Sequence, residues 1–159
     1  MRRTDRQITD ESEIRDIVER ARVVHLGMID GTHPYVVPLH YGCEWRGERL
    51  FLYLHCAREG HKLDLIARNP HVTAEIDCDV ELVSGGDIAC AYGSTYASVI
   101  ARGTAASVDD PQEKAHALEL LMRHQTGRAF AFNERMTSAV AVVRISVDDL
   151  TAKSRPKMG

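Results

Sequence analysis

"YVVPLHYGCEWRGERLFLYLHCAREGHKLDLIARNP", residues 35–70, is the stretch that decides the fold. "YVVPLHYGCE" is β-branched and aromatic and reads as a strand. "WRGER" breaks it, and "LFLYLHC" follows as another strand. Only then does a helix start, roughly from His61 to Arg68. It stops at Asn69-Pro70, because a residue before proline is pushed out of the α region. Upstream, "VVHLGMI" reaches the first of these strands through "DGTHP", a turn-rich break, so the two read as an antiparallel pair. Pro38 has no backbone donor, which places its strand at an edge or at a bend.

The same reading extends outward. Asp10 can cap a first helix, with Glu13 as its box partner and Ile14, Ile17, Val18 and Ala21 at helical spacing. "HVTAEIDCDVELV" is a long strand with Val72, Ala74, Ile76 and Cys78 on one face. "SGGD" ends it, and "YASVIARGTAASV" forms the next strand, where Gly103 marks a bulge or a close backbone approach. Asp110-Pro111 opens a further helix in the cap-then-proline order, with Ala115, Leu118, Leu121 and Met122 facing inward. The loop "TGRAFAFNERMTS" leads to a last strand, "AVAVVRISV". The order is α-β-β-β-α-β-β-α-β. Strands that follow one another without helices argue against a doubly wound parallel sheet. They predict a single domain over 1–159, mostly β with helices: an antiparallel barrel with helices at its ends and a ligand in an outer groove or at a subunit interface.

Composition narrows the function classes. Of 159 residues, 44% are apolar, and 20 basic against 23 acidic residues give a net charge of −3. That balance offers no broad handle for nucleic acid. The N-terminal stretch has no apolar signal segment and no run approaches membrane-spanning length, so the expectation is a cytoplasmic protein without a membrane partner. Cys43, Cys56, Cys78 and Cys90 match no common zinc spacing and read as free thiols in a reducing compartment.

The chemistry concentrates in "LHCAREGHKLDL", residues 54–65. Gly60 sits just before a helix start, where N–H groups lack internal partners, and Arg58 and Lys62 stand at the end of the helix that repels cations. An anion between them accounts for both; pairing with Glu59 and Asp64 on a solvated surface is the alternative. His55 and His61 lack metal-ligand spacing, although one exposed histidine is enough for a haem. A Cys56 nucleophile is disfavoured because neighbours on a strand diverge. On "YASVIARG", Tyr96, Ser98, Ile100 and Arg102 share one side, so Ser98 either meets a ligand or is an ordinary surface serine.

Taken together, "HPYVVPLHYGCE", "LYLHCAREGHKLDLIARNPHVTAEID" with its H-x-A-x-x-G-x-K core, "YASVIARGTA" and "VVRISVDDLTAK" resemble the pyridoxamine 5′-phosphate oxidase-related flavoproteins. The branch they are most similar to is the 5-nitroimidazole resistance type, in order from about residue 5 to residue 153. The resemblance implies an FMN-binding split barrel of six antiparallel strands flanked by short helices. It also implies a homodimer with flavins at the subunit interface. Position by position, Pro38, Leu39 and His40 would pass along the isoalloxazine. His55, Cys56 and Ala57 would face the ring or its ribityl chain, Lys62 would meet the phosphate with Gly60 leaving room, and Arg58 is a second phosphate ligand. Ser98 and Val99 would contribute from the next strand. The arginine and histidine cluster that grips pyridoxal phosphate in the parent oxidases is absent here.

The implied activity is an FMN-dependent oxidoreductase that passes electrons from flavin N5 to a small acceptor, such as a 5-nitroimidazole-like nitroaromatic. His55 would donate a proton or hydrogen bond, and Tyr41 or Tyr96 would stack on the acceptor. Any NAD(P)H would visit transiently, since no nucleotide fingerprint is present. Phe130 and Phe132 read either as a lid or partner contact or as core plugs. Two alternatives stay open: a haem-binding or haem-handling protein using His55, and a non-catalytic flavin-binding module.

Overall fold

The computed structural model describes residues 4–155. A two-residue β1 (Gln7–Ile8) precedes helix α1 (Glu11–Arg20), and three strands follow: β2 (Val23–Asp30), β3 (His33–Arg46) and β4 (Arg49–Cys56). Helix α2 (His61–Arg68) leads to β5 (His71–Val83) and β6 (Gly93–Ser107). Helices α3 (Pro111–Thr126) and α4 (Glu134–Ser138) precede β7 (Ala141–Arg155). The order read from the sequence is therefore observed, with three corrections. β1 was too short to leave a pattern. Asn133 caps the short α4 inside what read as a loop. The last strand continues to Arg155 rather than ending near Val147, because it pairs with β6 along its whole length.

Six strands close a ring in the order β7-β4-β3-β2-β5-β6, with β6 pairing back to β7 and every pair antiparallel. This is a split barrel, and β3 makes the split. Residues 33–40 pair with β2, and from Tyr41 onward the strand pairs with β4. Pro38 therefore lies where the other edge of β3 carries no ladder, as its missing N–H requires. Alternation along each strand sends one side chain in and the next out. Leu26, Leu52, Ile76 and Val99 are each 0% exposed. Burying a side chain of this size stabilises the fold by roughly 1.5–3 kcal/mol.

Asp10 caps α1 by accepting the Glu13 N–H at 3.0 Å, and Ile14, Ile17 and Val18 close one end of the barrel. Asp110 does the same for α3, accepting the Glu113 N–H at 2.7 Å. The inward face of α3 is Ala117, Leu118 and Leu121; Ala115 and Met122 are only half-buried. The helix crosses β3 at Gly42, where an added Cβ would fall 2.4 Å from the Leu121 nitrogen. Gly103 plays the same part between strands: its β-carbon would meet the Ser146 carbonyl oxygen at 2.2 Å, beside a register shift in the β6–β7 ladder.

His124 locks α3 to this end. Its Nε2–H donates to the Ala21 carbonyl at 2.7 Å, which leaves Nδ1 to accept from the Cys43 thiol at 3.4 Å. Burial, reinforced by Arg22, holds its pKa below the ordinary 6.5. A histidine kept neutral in the fold binds its proton more readily in the unfolded chain. Its stabilising contribution is therefore complete above about pH 6.5 and is lost as the pH falls through the lower folded value. Urea midpoints should fall between pH 7.5 and pH 5, and His124→Gln should flatten that slope; parallel slopes would exclude His124 as the source.

Candidate functional site

The site grows out of the β3–β4 register. Tyr41 pairs with Leu54, the last pair of that ladder and both facing the core, so the flanking His40 and His55 turn to the outer face, close enough for His40 to act on His55. The chain then turns through residues 57–60 into α2, which brings Lys62 over the same place. The electrostatics register this grouping. The His55 imidazole is held below its ordinary pKa, first by burial and then by the charges of His40 and Lys62. Burial also pushes the Cys56 thiol up, with Lys62 pulling the other way, so Cys56 is protonated at neutral pH and no nucleophile.

The start of α2 is built to receive an anion. Gly60 takes φ 152°, a value that favours glycine, and no side chain caps the helix. An added β-carbon at Gly60 would meet nothing within 4 Å, so the helix end is open. Its carbonyl accepts from Leu63 and Asp64, so of the first-turn N–H groups those of His61 and Lys62 are left without an acceptor within the helix. Among the described residues, neither Arg58 nor Lys62 forms an ion pair, so Glu59 and Asp64 do not neutralise them. His61 is spoken for: its Nε2 lies 2.6 Å from Asp30 and its ring meets Tyr35 edge-on, which ties the helix start to the β2–β3 turn.

Not every residue expected at a ligand lies here. Pro38, Leu39 and His40, with Val23, line a cavity of about 260 Å³, although Leu39 also packs partly against the core. Ala57, Arg58 and Gly60 are exposed around the turn. Ser98 belongs to a second place. It faces out from β6, is 7% exposed, and lines a cavity of about 300 Å³ with Ile100, Arg102, Thr151 and Lys153. Following the register from His40 through Val23, the β5 position of Asp77 and Ser98 crosses three strand spacings, roughly 14 Å. Val99 is a correction: its side chain is sealed in the core and its backbone is paired on both flanks, so it holds Ser98 in place and meets no ligand.

Tyr41 is a second correction. It is 0% exposed, and its hydroxyl donates to the Val18 carbonyl at 2.6 Å, so it stacks on nothing outside. Tyr96 is half-buried, accepts a bond from Arg6 and carries Lys153 against its ring at 5.5 Å. Phe132 packs on the small cluster around Phe51 and Tyr53, as a plug would. All four cysteines are free, and burial pushes Cys43 up to about 12.

What the sequence reading missed is the closeness of His40 to His55, and a signal for it existed. The two-residue turn Gly47-Glu48 fixes Arg46 opposite Arg49, and counting back five pairs reaches Tyr41 opposite Leu54, next to His40 and His55. Also unforeseen was an apolar outer face. Ile29, Val36 and Ile100 are exposed there, the first two beside a cavity of about 740 Å³ that His25, Glu75 and Arg102 also line.

Comparison with known proteins places these features. Residues 10–154 match the family model described as pyridoxamine 5′-phosphate oxidase. A Bacteroides thetaiotaomicron crystal structure, provisionally assigned to 5-nitroimidazole antibiotic resistance, shares 32% identity. It matches 93% of this chain and 86% of that one, with a TM-score of 0.78. A flavocytochrome from Azotobacter vinelandii has a TM-score of 0.78 at 19% identity, covering 99% of this chain and 72% of that one. A FAD and haem binding protein from Mycobacterium smegmatis has a TM-score of 0.77 at 16% identity, covering 97% and 77%. These last two share the fold. No curated protein matches the sequence significantly. Among the described residues, no helix is long and apolar enough to cross a membrane.

Proposed function

This chain belongs to the pyridoxamine 5′-phosphate oxidase family, and from that premise we propose that it is an FMN-dependent reductase of small nitroaromatic acceptors. The observation that carries the proposal is the uncapped, open start of α2, with Lys62 and Arg58 beside it and neither in an ion pair among the described residues. Helix N–H groups plus two cations are the donor set a phosphate monoester takes. The residues present fit the group. The likeness to the Bacteroides protein supports the choice of acceptor class.

When bound, the flavin would supply two-electron transfer at its N5, and the protein supplies placement and electrostatics. Lys62 and the N–H groups of His61 and Lys62 at the start of α2 would hold the phosphate. Pro38 and His40 offer one wall for the ring. His55, neutral at pH 7 because its pKa is depressed, offers an N–H hydrogen bond to a developing negative charge on the acceptor rather than a ready-made cation. Ser98 lies too far from His55 to share a short ligand with it. The exposed Ile29, Val36 and Ile100, at 53%, 56% and 38%, favour a homodimer that covers this face. NAD(P)H, as the electron donor, would visit transiently.

The test is a reoxidation experiment. Protein carrying FMN, reduced without oxygen, should be reoxidised on mixing with a 5-nitroimidazole and not with the same ring lacking its nitro group. His55→Ala should slow that step about a hundredfold while keeping the flavin, the size typical of a lost proton or hydrogen-bond donor. Equal rates with both rings would count against the reaction and leave a flavin-binding module. A second reading, haem binding, is favoured by the same exposed, neutral His55 imidazole, which suits an axial ligand. A Soret band abolished by His55→Ala would select it.

A further inference from the structure

We propose that His25, Glu75 and Asp77 form a binding site for a divalent first-row transition metal on the outer face of the barrel. None of the three residues is assigned to the flavin, and the site lies on the outer face where a second copy is proposed to dock. The β2–β5 ladder sets His25 directly opposite Glu75, and Asp77 follows two residues along β5 on the same face. Nδ1 of His25 lies 3.2 Å from a Glu75 carboxylate oxygen and 3.9 Å from one of Asp77, and all three ligand atoms fall within 4.8 Å of one another. Donors bound to one ion at about 2.1 Å stand roughly 3–3.5 Å apart, so small side-chain rotations close the set.

The backbone has brought these groups together before any ion arrives. Two carboxylates lie side by side on one strand face, where like charges repel. A cation between them relieves that repulsion. The other histidine–carboxylate contacts offer less. His61 meets only Asp30, and His116 meets only Glu44, whose carboxylate is already held by Tyr53 and Arg46. Among the described residues this is the one group of three.

Donor chemistry sets the ion class. One imidazole nitrogen with two carboxylate oxygens suits zinc, manganese or ferrous iron; the absence of thiolate disfavours cuprous copper, and the imidazole disfavours calcium and magnesium. His25 and Glu75 also line the cavity of about 740 Å³.

Calorimetric titration of chelator-treated protein with Zn²⁺ tests the site, whether or not flavin is present. We expect one ion per chain, weakened about tenfold or more by His25→Ala and by Glu75→Gln, and unchanged by His61→Ala. The three side chains are 37–42% exposed, so these variants should fold, and Asp77→Asn provides an independent third. Co²⁺ in the same site should show ligand-field bands without thiolate charge transfer. Absence of saturable binding, binding unaffected by His25→Ala and Glu75→Gln, or a thiolate band that points to the cysteines would overturn the proposal.

Discussion

Lys62→Ala should weaken FMN about ten- to hundredfold while leaving riboflavin affinity unchanged. Lys62 is a half-buried cation without an ion pair among the described residues, poised over an uncapped helix start. A charge-assisted bond to a phosphate contributes roughly 1.5–3 kcal/mol, and each 1.4 kcal/mol is tenfold in binding. Riboflavin lacks the phosphate and so reports on the ring alone. Fluorescence quenching titrations of both flavins against both proteins read the difference. Lys62→Arg should recover much of the loss, since it restores the charge. If both flavins weaken equally, the substitution has disturbed the ring pocket or the fold, and the phosphate assignment fails. If neither weakens, the anion lies elsewhere.

The second large effect concerns the scaffold. Gly42→Ala should cost about 3 kcal/mol, because the new carbon would fall 2.4 Å from the Leu121 nitrogen and 2.7 Å from the Leu120 carbonyl carbon. Those atoms are helix backbone and cannot swing aside as a side chain can. For a chain of this length the loss corresponds to a drop of roughly 6–12 °C in Tm. Gly47→Ala is the matched control. It sits at φ 64° with nothing within 4 Å, so it carries only the left-handed strain of about 1–2 kcal/mol. Displacing α3 reaches the site as well. Gln125 of that helix donates to the Tyr41 carbonyl at 3.0 Å, at the point where β3 passes from one partner strand to the other, one residue from His40. Gly42→Ala should therefore lower flavin retention along with stability. An unchanged melting curve would mean that α3 is not packed on β3 as described.

Most of the fold was legible because local signals agreed with the global arrangement. Asp10 and Asp110 each carry their cap where the sequence places it, and Asn69-Pro70 ends α2 on time. Alternation along residues 71–78 names the buried face of β5 correctly. What failed was whatever depended on register. Tyr41 looks like a stacking residue until its pairing with Leu54 turns it inward. Val99 looks like a neighbour of Ser98 until alternation seals it in the core. The helix start at Gly60 was readable as an anion site because it is local: glycine, cations and helix lie within eight residues. The His25–Glu75–Asp77 group was not readable at all, since its strands meet only through the closure of the barrel, fifty residues apart in sequence. α4 escaped because five residues are too few to show a period.

The central claim is that the chain holds a phosphorylated flavin at the start of α2. The most direct measurement is the absorption spectrum of the purified protein after reconstitution with excess FMN and removal of the unbound cofactor. We expect a retained oxidised-flavin spectrum near one equivalent per chain, released by denaturation as FMN and reduced in Lys62→Ala treated in the same way. A protein that emerges colourless, or that retains only a haem spectrum, would contradict the account.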